Sequence, residues 1–597
     1  MNAALAAIAV SLLIVVHELG HFIAAKAVGM RVEVFSVGFW KKIAGFRIGE
    51  TEYRLSLVPL GGYVRVSGES PEEGKGKPYE FWSKTPGQRA LFVLGGVTMN
   101  FMLALVLFIT AFAMGVPFTV ADVGKTASGE PAWLAGLKSG DRIVAVDDVE
   151  RPTFVDLTRQ VALSGRSELT LKVQRDGHLL TFRVRPQYDD EAGLKVIGVY
   201  PPLEPVVSEL AKIGGEAGVS PAQQAGIELG DRILAINGVK VETAYDLTDQ
   251  LINYPHNEVE LQVERDGRTF TVHATSEPVP RPMIGISGLS TTIESLEGDG
   301  MARQAGLRVG DRVTAVNGKP AASAVEIEEI LRKSLGAADL EALRDERPMA
   351  FHASIPDLLT EYKFMSSVEF ESSTTLTWVQ KDGPAWQVGM RPGDRIETIG
   401  GREVETWLDV LTEGERAGGK PHQIQWARGN EILTANVEPV EDTSMSVGHL
   451  GIVFRLDRTA PERYGPLGAI RKGLRSTVQT ITEILLMFRG FATRQVSPRQ
   501  MGGILTIAAA SYYAAQEGIA KLLYLTAVIS AAIAFLNALP IPVLDGGHLL
   551  FLAIEKVRGR RLSERTLTVA QTIGFVLIVL LFLYVTRNDI LRFFAHG

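Results

Sequence analysis

The sequence predicts an α-helical polytopic membrane protein with four transmembrane helices, a membrane-associated β-hairpin region and extracytoplasmic α/β domains of the β-sandwich type. Three observations predict this fold class. Long uncharged apolar runs lie near both ends of the 597 residues, and the glycine-rich, charged middle holds a fourfold internal repeat. A His-Glu-x-x-His motif lies inside the first apolar run. About 20 apolar residues cross a bilayer, so each run is long enough to span.

Four apolar runs predict the spanning helices. They cover about residues 3–30, 92–116, 522–544 and 566–586. A cleaved signal peptide is the alternative for the first run, but no Lys or Arg precedes it, so the positive region of such a peptide is missing. Basic residues are concentrated between the first two runs and between the last two, which predicts that both connections are cytoplasmic and that 120–460 is extracytoplasmic.

Two further segments are predicted to lie beside the membrane. Residues 466–516 are basic and place Ile and Leu at helical spacing, which is typical of interfacial helices. Strand patterns over Val32–Phe39 and Tyr53–Val58, followed by Gly61 and Gly62, predict a β-hairpin or small sheet. An exposed sheet edge offers backbone hydrogen bonds to an extended substrate. The alternative is an ordinary amphipathic connector.

The composition excludes two kinds of chemistry. The formal net charge is −7, and no basic stripe with interleaved aromatic residues is present, so nucleic acid is not expected as a partner. The chain has no Cys, so disulfides and thiolate metal sites are excluded. Any bound metal must therefore use His and carboxylate ligands.

The His-Glu-x-x-His motif is formed by His17, Glu18 and His21. On a helix the two histidines are one turn apart on one face, so both imidazoles can bind one metal ion. The glutamate beside them can accept a proton from a metal-bound water. The motif therefore predicts a hydrolase site inside an apolar segment, where ionisable residues are costly and usually functional.

The end of the third apolar run predicts the other half of this site. Pro540 and Pro542 should end the helix, and the backbone that they free is tolerated where it lines a cavity. Asp545 follows and is the natural third ligand, which leaves a fourth position for water. A helix-capping role for this aspartate is the alternative, and His548 is a competing ligand candidate.

The middle of the chain contains one pattern four times. The copies begin at Pro131, Pro221, Ala302 and Pro384. Each copy ends on a Gly-Asp pair, and an acidic residue that opens a helical pattern follows: Asp156, Asp246, Glu326 and Asp409. Three copies then show a hairpin turn at 175–177, 265–267 and 428–430. The third copy lacks that signature and diverges over 335–365, so we expect it to be incomplete or to carry an insertion.

The repeat resembles the PDZ domain of the type associated with bacterial proteases, through its Ala-Gly-Leu-x-x-Gly-Asp-x-Ile core. The resemblance implies a small β-sandwich whose groove takes an extended peptide, often a C-terminus, by strand addition. We expect the Gly-Asp pairs to shape turns rather than to bind. The predicted domains are a membrane domain over 1–120 (with the β region at 31–66) and 460–597, and PDZ domains over 121–200, 201–280, 281–375 and 376–445.

The paired motifs resemble the site-2 proteases, specifically the bacterial regulator-of-sigma-E protease type. They are His-Glu-x-x-His in the first run, Leu-Gly-Gly-Tyr-Val after it, and Asn-x-x-Pro-x-Pro-x-Leu-Asp-Gly-Gly in a late run. The resemblance implies one zinc ion bound by His17, His21 and Asp545, with Glu18 as general base. It also implies that Asn537 holds substrate or the oxyanion.

The same resemblance places further residues near the substrate: Pro540, Pro542, Gly61 and Gly62. The sequence departs from the family in two ways. It has four PDZ-like repeats where one or two are usual, and Gly96-Val97 and Gly503-Ile504 stand where Gly-Pro is common. We expect the second departure to affect local helix shape only.

These observations predict a zinc-dependent intramembrane endopeptidase of the bacterial cytoplasmic membrane, with the active site towards the cytoplasmic side. The expected substrates are single-span membrane proteins, such as anti-sigma factors or remnant signal peptides, and the PDZ-like repeats would filter or dock them. Peptide C-termini and the bilayer are the other expected partners. The alternative is a membrane-anchored PDZ scaffold with a non-catalytic metal site. A metal transporter would need more polar residues in several spans.

Overall fold

The computed structural model divides the chain into two compact units. It describes residues 2–594 except 70–75, 128, 190–191, 212–218, 279–280, 418, 443–447, 459–462 and 561. Unit 1 comprises Met1–Phe118, Tyr188–Lys195 and Thr459–Gly597, and unit 2 comprises Thr119–Gln187 and Val196–Arg458. The predicted end of the fourth repeat, at 445, lies outside the described residues.

The first part of unit 1 is a helix, a long hairpin and a second helix: α1 (Asn2–Ala27), β1 (Val32–Ile48), β2 (Thr51–Val66) and α2 (Pro86–Met114). The two strands are antiparallel and turn at Gly49. They are much longer than the predicted pair of short strands, because the ladder continues to Ile48 opposite Thr51. The far half alternates apolar and basic residues and is exposed, with Trp40 at 77% and Ile43 at 62%, so burial does not mark it as strand.

Glycine contacts bring α1 and α2 together. A Cβ atom on Gly20 would lie 2.2 Å from the carbonyl oxygen of Gly95, and one on Gly95 would lie 2.4 Å from that of Gly20. No larger residue fits at either position while the helix backbones remain in contact. The start of α2 is fixed by Thr85, whose side chain accepts from Gln88 N while the Gln88 side chain accepts from Thr85 N.

Unit 2 contains four versions of one arrangement. Repeat 1 holds β3 (Lys125–Thr126), α3 (Pro131–Leu134), β4 (Arg142–Val146), β5 (Val149–Glu150), α4 (Phe154–Leu163), β6 (Leu169–Arg175), β7 (His178–Val184), β8 (Gln187–Asp189), β9 (Leu194–Val196) and β10 (Val199–Tyr200). Repeat 2 holds β11 (Leu203–Leu210), α5 (Pro221–Gln224), β12 (Arg232–Ile236), β13 (Val239–Lys240), α6 (Ala244–Leu251), β14 (Glu258–Arg265), β15 (Arg268–Thr275) and β16 (Glu277–Pro278).

The other two repeats follow β17 (Arg281–Met283) and β18 (Ile286–Ser287). Repeat 3 holds β19 (Leu289–Leu296), α7 (Met301–Gln304), β20 (Arg312–Val316), β21 (Lys319–Pro320), α8 (Ala324–Lys333), β22 (Gly336–Arg344), β23 (Arg347–Ile355), α9 (Leu358–Ser366) and β24 (Val368–Ser372). Repeat 4 holds β25 (Trp378–Val379), α10 (Pro384–Gln387), β26 (Arg395–Ile399), β27 (Arg402–Glu403), α11 (Trp407–Ala417), β28 (His422–Arg428), β29 (Glu431–Val437) and β30 (Val440–Asp442), with β31 (Gly448–His449) and β32 (Ile452–Leu456) after it.

The Gly-Asp aspartate of each repeat is a structural residue, as expected. In every repeat it accepts two hydrogen bonds from the arginine at the hairpin turn: Asp141 from Arg175, Asp231 from Arg265, Asp311 from Arg344 and Asp394 from Arg428. The acidic residue that opens each amphipathic helix accepts from the backbone of its own first turn, as in the capping box of Thr153 and Asp156.

The sequence prediction that the third copy lacks a hairpin is wrong. Strands β22 and β23 pair along their whole length and turn at Asp345 and Glu346. Both turn residues have positive φ, at 49° and 60°, so an Arg-Asp-Glu turn adopts the geometry that Arg-Asp-Gly gives elsewhere. The glycine was the expected signal, but the arginine that reaches Asp311 was the better one.

The repeats exchange strands along the chain. β32 pairs with β11 of repeat 2, and β18 pairs with β25 of repeat 4. Repeats 3 and 4 therefore lie in sequence between two parts of the sheet of repeat 2. The predicted consecutive ranges do not contain these exchanged strands, because a two- to five-residue strand far from its repeat leaves no periodic signal.

The second part of unit 1 is helical: α12 (Pro466–Ala492), α13 (Ile504–Glu517), α14 (Ile519–Ala538), α15 (Asp545–Arg558) and α16 (Glu564–Phe594). Asp589 of α16 accepts from the N–H groups of Gly503, Leu505 and Thr506 and so caps α13 from another helix. Small residues of α12 are buried, among them Ala469. The interfacial position of α12 and α13 stays a prediction.

Three helices in the described part of the chain are long and apolar enough to cross a membrane. They are Pro86–Met114, Ile519–Ala538 and Arg565–Arg592. The first apolar run is helical over 26 residues in α1, but it is not one of these three. The count of four spans therefore stays a prediction.

Repeat 3 contains a carboxyl group that is fully buried. Glu361 of α9 is 0% exposed, and its Oε2 lies 3.2 Å from Nε of Arg332 on α8. Burial raises the pKa of Glu361 to about 7, the arginine partly opposes this, and neighbouring Glu328 adds to it. The folded protein thus binds this proton more tightly than an unfolded chain does.

We predict that repeat 3 loses stability as pH rises from 5 to 8. The pKa in the folded protein lies above the ordinary 4.5, so the contribution is present at low pH and is lost as pH rises through 7, by about 2 kcal/mol. Hydrogen exchange of α8 and α9, corrected for intrinsic rates, measures this loss. Glu361→Gln should remove the dependence, and the exposed Glu329→Gln on α8 should leave it. An unchanged pH dependence in Glu361→Gln would contradict the assignment.

Candidate metal centre

Three side chains from two helices converge in unit 1. His17 and His21 lie one turn apart on α1 and are only 9% and 8% exposed. Asp545 is the first residue of α15. Its Oδ2 lies 3.2 Å from His17 Nε2 and 3.5 Å from His21 Nε2, and the two Nε2 atoms are 3.2 Å apart. These three residues form the one group within the described residues that could hold a metal ion by ligand spacing.

Hydrogen bonds on the far side of each ring determine which nitrogen faces the centre. His21 Nδ1 donates to the carbonyl oxygen of Phe92 on α2, at 3.0 Å, so its Nε2 carries a lone pair. His17 Nδ1 lies 3.3 Å from the Asn100 side-chain amide nitrogen, and the amide oxygen is buried without a partner among the described residues. Turning that amide end for end gives His17 Nδ1–H an acceptor and satisfies both groups.

The resulting arrangement fits a divalent cation. Two imidazole lone pairs and one carboxylate oxygen face each other, and Asp545 Oδ2 is buried with no hydrogen-bond donor in the described chain. Acceptor atoms at 3.2–3.5 Å repel each other unless a positive charge lies among them. Two nitrogens and one oxygen are a donor set that zinc takes, and the protein supplies no fourth ligand in this group.

Helix α2 shapes the back of the centre. A Cβ atom on Gly96 would lie 2.4 Å from His21 Nε2 and 2.8 Å from His17 Nε2. Arg89 is 1% exposed, and its Nη2 lies 2.7 Å from Glu555 Oε1, which ties α15 to α2. Gly96 therefore leaves room for the ligands, while the ion pair helps to hold the helix that carries Asp545.

Glu18 lies between the centre and the hairpin. A Cβ atom on Gly62 would lie 3.1 Å from its Cγ, and the backbone of Val64 hydrogen-bonds to its carboxylate. The neighbouring Gly61 has φ 140° and lies under the ring of Phe39. The hairpin thus passes directly beside the expected general base.

The turn between α14 and α15 delivers Asp545. Asn537 is half-buried in the last turn of α14, which ends before Pro540. Val543 has φ 89°, a strained conformation for a β-branched residue. A Cβ atom on Gly546 would lie 2.1 Å from the carbonyl oxygen of Leu539, so the chain folds back tightly onto the start of α15.

The structure brings together His17, His21 and Asp545, with Glu18 beside them. It does not place His548 in the ligand group. The substrate-contacting roles of Asn537, Pro540, Pro542, Gly61 and Gly62 stay predictions. Sequence reasoning missed Asn100, the Phe92 carbonyl and the contact of Gly96 with the imidazoles. A lone Asn inside the uncharged second run was the available signal, since intramembrane polar groups are usually functional.

A His-His-Asp centre with an adjacent glutamate, held by apolar helices, defines the class of membrane-embedded metallopeptidases. The chain belongs to peptidase family M50, whose family model matches residues 5–581. This is the site-2 protease family, so the protein is a zinc metalloendopeptidase acting in regulated intramembrane proteolysis. A scaffold with a non-catalytic metal site is therefore not supported.

Relatives of similar length support this assignment. The regulator of sigma-E protease RseP of Escherichia coli is 26% identical, over 98% of this chain and 97% of its own. The corresponding protease of Salmonella typhimurium is 25% identical over 99% and 98%, and protease RseP of Yersinia pestis is 24% identical over 98% and 97%. A solved PDZ domain protein from Parabacteroides distasonis aligns with 43% of this chain at a TM-score of 0.14, a value that supports no argument.

We predict that Gly96→Ala abolishes zinc binding and activity. The added methyl group would overlap both ligand imidazoles at less than 3 Å, and α2 cannot retreat while Gly20 and Gly95 are in contact. Zinc content measured by mass spectrometry on the purified protein tests this. Gly87→Ala is the matched control, because nothing lies within 4 Å of its Cβ position on the same helix. Full zinc content in Gly96→Ala would refute the packing argument.

We predict that Asn100→Ala weakens zinc binding by about 10- to 100-fold, the usual cost of losing a group that orients a ligand histidine. Competition against a chromophoric chelator measures the affinity. Ser530→Ala is the control, because Ser530 donates to the Asn100 backbone oxygen and not to the imidazole. Equal affinities in Asn100→Ala and the wild type would show that this amide does not orient His17.

Proposed function

We propose that this protein cleaves transmembrane segments of single-span membrane proteins, such as anti-sigma factors or remnant signal peptides. The observation that carries the proposal is the buried ligand group of His17, His21 and Asp545, with Glu18 between it and the hairpin. Peptide hydrolysis needs a metal, a base and a way to hold the chain extended, and these lie together in unit 1. Family M50 membership supports the reaction class.

Bound zinc would supply a Lewis acid and a water molecule of lowered pKa. Glu18 would take the proton from that water on its carboxylate and pass it to the leaving amine. Asn100 and the Phe92 carbonyl keep the imidazole Nε2 atoms turned towards the centre. We assign the role of holding the substrate carbonyl oxygen to Asn537, whose side chain makes no hydrogen bond to another described residue.

The hairpin is proposed to hold the substrate. A helical substrate hides its carbonyl groups in its own hydrogen bonds, so the segment must unwind before attack. Within the described residues β1 and β2 form a sheet of two strands, which leaves each strand one edge without a strand partner. An extended peptide that pairs beside Gly62 would lie next to Glu18. Pro540 and Pro542 are proposed to border the same space.

The repeats of unit 2 are proposed to lie on the periplasmic side of the bacterial inner membrane, with the metal centre towards the cytoplasmic side. Basic residues between the first two and the last two apolar runs support this orientation. Four compact domains on the chain would exclude substrates with bulky ectodomains until another protease trims them, or would dock partner chain ends.

We predict that Glu18→Gln lowers cleavage at least about 100-fold, because general-base catalysis contributes that much or more, while zinc content stays near one ion per chain. The assay follows a panel of single-span proteins with truncated ectodomains in proteoliposomes. Glu33→Gln in β1, an exposed glutamate paired with Arg65, should cleave normally. Cleavage by Glu18→Gln at the wild-type rate would sink the proposed mechanism.

A further inference from the structure

Three of the four repeats carry the same short loop before the strand that completes their sheet. We name these the amide loops: Ile197-Gly198-Val199 in repeat 1, Ile284-Gly285-Ile286 in repeat 4 and Leu450-Gly451-Ile452 in repeat 2. The central glycines have positive φ, at 69°, 73° and 67°. Within the described residues their N–H groups donate to no acceptor.

Equivalent hydrogen bonds hold the three amide loops. The carbonyl before each glycine accepts from an alanine N–H of the short helix: Ile197 from Ala132, Ile284 from Ala385 and Leu450 from Ala222, at 2.9–3.0 Å. The carbonyl of each glycine accepts from a second backbone N–H: Gly198 from Ala127, Gly285 from Gln380 and Gly451 from Ala211, at 2.8–2.9 Å. The loops are thus fixed from one side, with the glycine N–H groups left available.

Repeat 3 makes the same two bonds with a single residue. Ser367 Oγ accepts from Ala302 N at 3.0 Å, and the Ser367 carbonyl accepts from Glu297 N at 3.0 Å. Its φ is −87°, not positive, and its own N–H donates to the carbonyl of Phe364 at the end of α9. Helix α9 has therefore replaced the amide loop, and the donor that is free in the other repeats is used internally.

Helix α9 also fills the space beside that position. It contacts both α8 and β24, the amphipathic helix and the completing strand that border the groove of this repeat. Leu359 and Phe364 are buried, and Phe364 joins the core of the repeat. Glu361 lies beside Arg332 of α8. An extended peptide could enter only by displacing a helix with three buried side chains.

The same helix joins repeat 3 to its neighbours in unit 2. Asn253 Oδ1 of repeat 2 accepts from Leu359 N at 2.8 Å. Lys125 of repeat 1 lies 5.8 Å from the ring centroid of Tyr362. Displacing α9 would therefore break contacts with two other repeats as well as its own core.

We propose that repeat 3 binds no peptide because α9 permanently occupies its groove, and that the amide loops of repeats 1, 2 and 4 each bind the terminal carboxylate of a protein chain. Free backbone N–H groups in a loop with positive φ form an anion-binding nest, and a chain-terminal carboxylate beside an open strand suits it. Repeat 3 acts as the joint of the array. This deepens the docking role given to the repeats in the proposed function.

Photo-crosslinking tests the proposal on the full chain carrying Glu18→Gln, in detergent micelles. The probe is a mixture of hexapeptides with a benzophenone side chain, an apolar last residue and a free carboxylate, and the same mixture as carboxamides is the control. Mass spectrometry locates the adducts. We expect carboxylate-dependent adducts beside the amide loops of repeats 1, 2 and 4 and none on α8 or β24.

Glycine variants connect each adduct to its loop. Gly198→Ala should lower labelling of repeat 1 about tenfold and leave repeats 2 and 4 unchanged, because the added Cβ meets Glu130 and positive φ disfavours alanine. Ser367→Ala in repeat 3 is the matched control and should change nothing elsewhere. Hydrogen exchange that stays native outside repeat 1 separates lost binding from unfolding.

Two results would overturn the proposal. Carboxylate-dependent adducts on α8 or β24 would show that α9 does not close repeat 3. Absence of such adducts from any of the three open repeats would remove the assignment of that repeat. Neither result depends on zinc or on cleavage of a single-span protein, so failure of the proposed peptidase reaction would be seen separately.

Discussion

The contact of α1 with α2 at Gly20 and Gly95 is the constraint on which the metal centre depends. Because neither residue has a side chain, the two backbones touch, and the next residue, Gly96, lies directly against the two ligand imidazoles. At this separation the Phe92 carbonyl and the Asn100 amide reach the outer ring nitrogens. A wider spacing would leave both rings free to rotate and their polar atoms buried without partners, at a cost of about 1–3 kcal/mol each.

The second half of the centre depends on the same helix. α15 begins with Asp545, and its other end is tied to α2 by the Arg89–Glu555 ion pair. A buried pair of this kind is costly to break, because one charge would remain without its partner. α2 thus holds ligands from both ends of the chain, although it contributes none itself. The ligand set is complete only when segments more than 500 residues apart pack on it.

The repeats show how one arrangement is kept while its use changes. The aspartate–arginine pair, the short helix and the capped amphipathic helix occur in all four. In repeat 3 a serine side chain supplies the bond that a backbone carbonyl supplies elsewhere, so the loop can be lost without loss of the sheet. The buried Glu361 then lies in a helix that the other repeats do not have, which is why its titration is expected to act on repeat 3.

The sequence by itself determined the reaction class, both histidines, the base and the third ligand, because a helix places residues four apart on one face and because ionisable residues are rare in apolar runs. It also gave the fourfold repeat through spacing alone. Only the tertiary structure decided the rest. The hairpin of repeat 3, the exchanged strands and the support of His17 by Asn100 depend on partners far away in sequence. Local patterns carry no record of such partners, since a glycine or asparagine in an apolar helix reads the same whether it faces lipid or an imidazole.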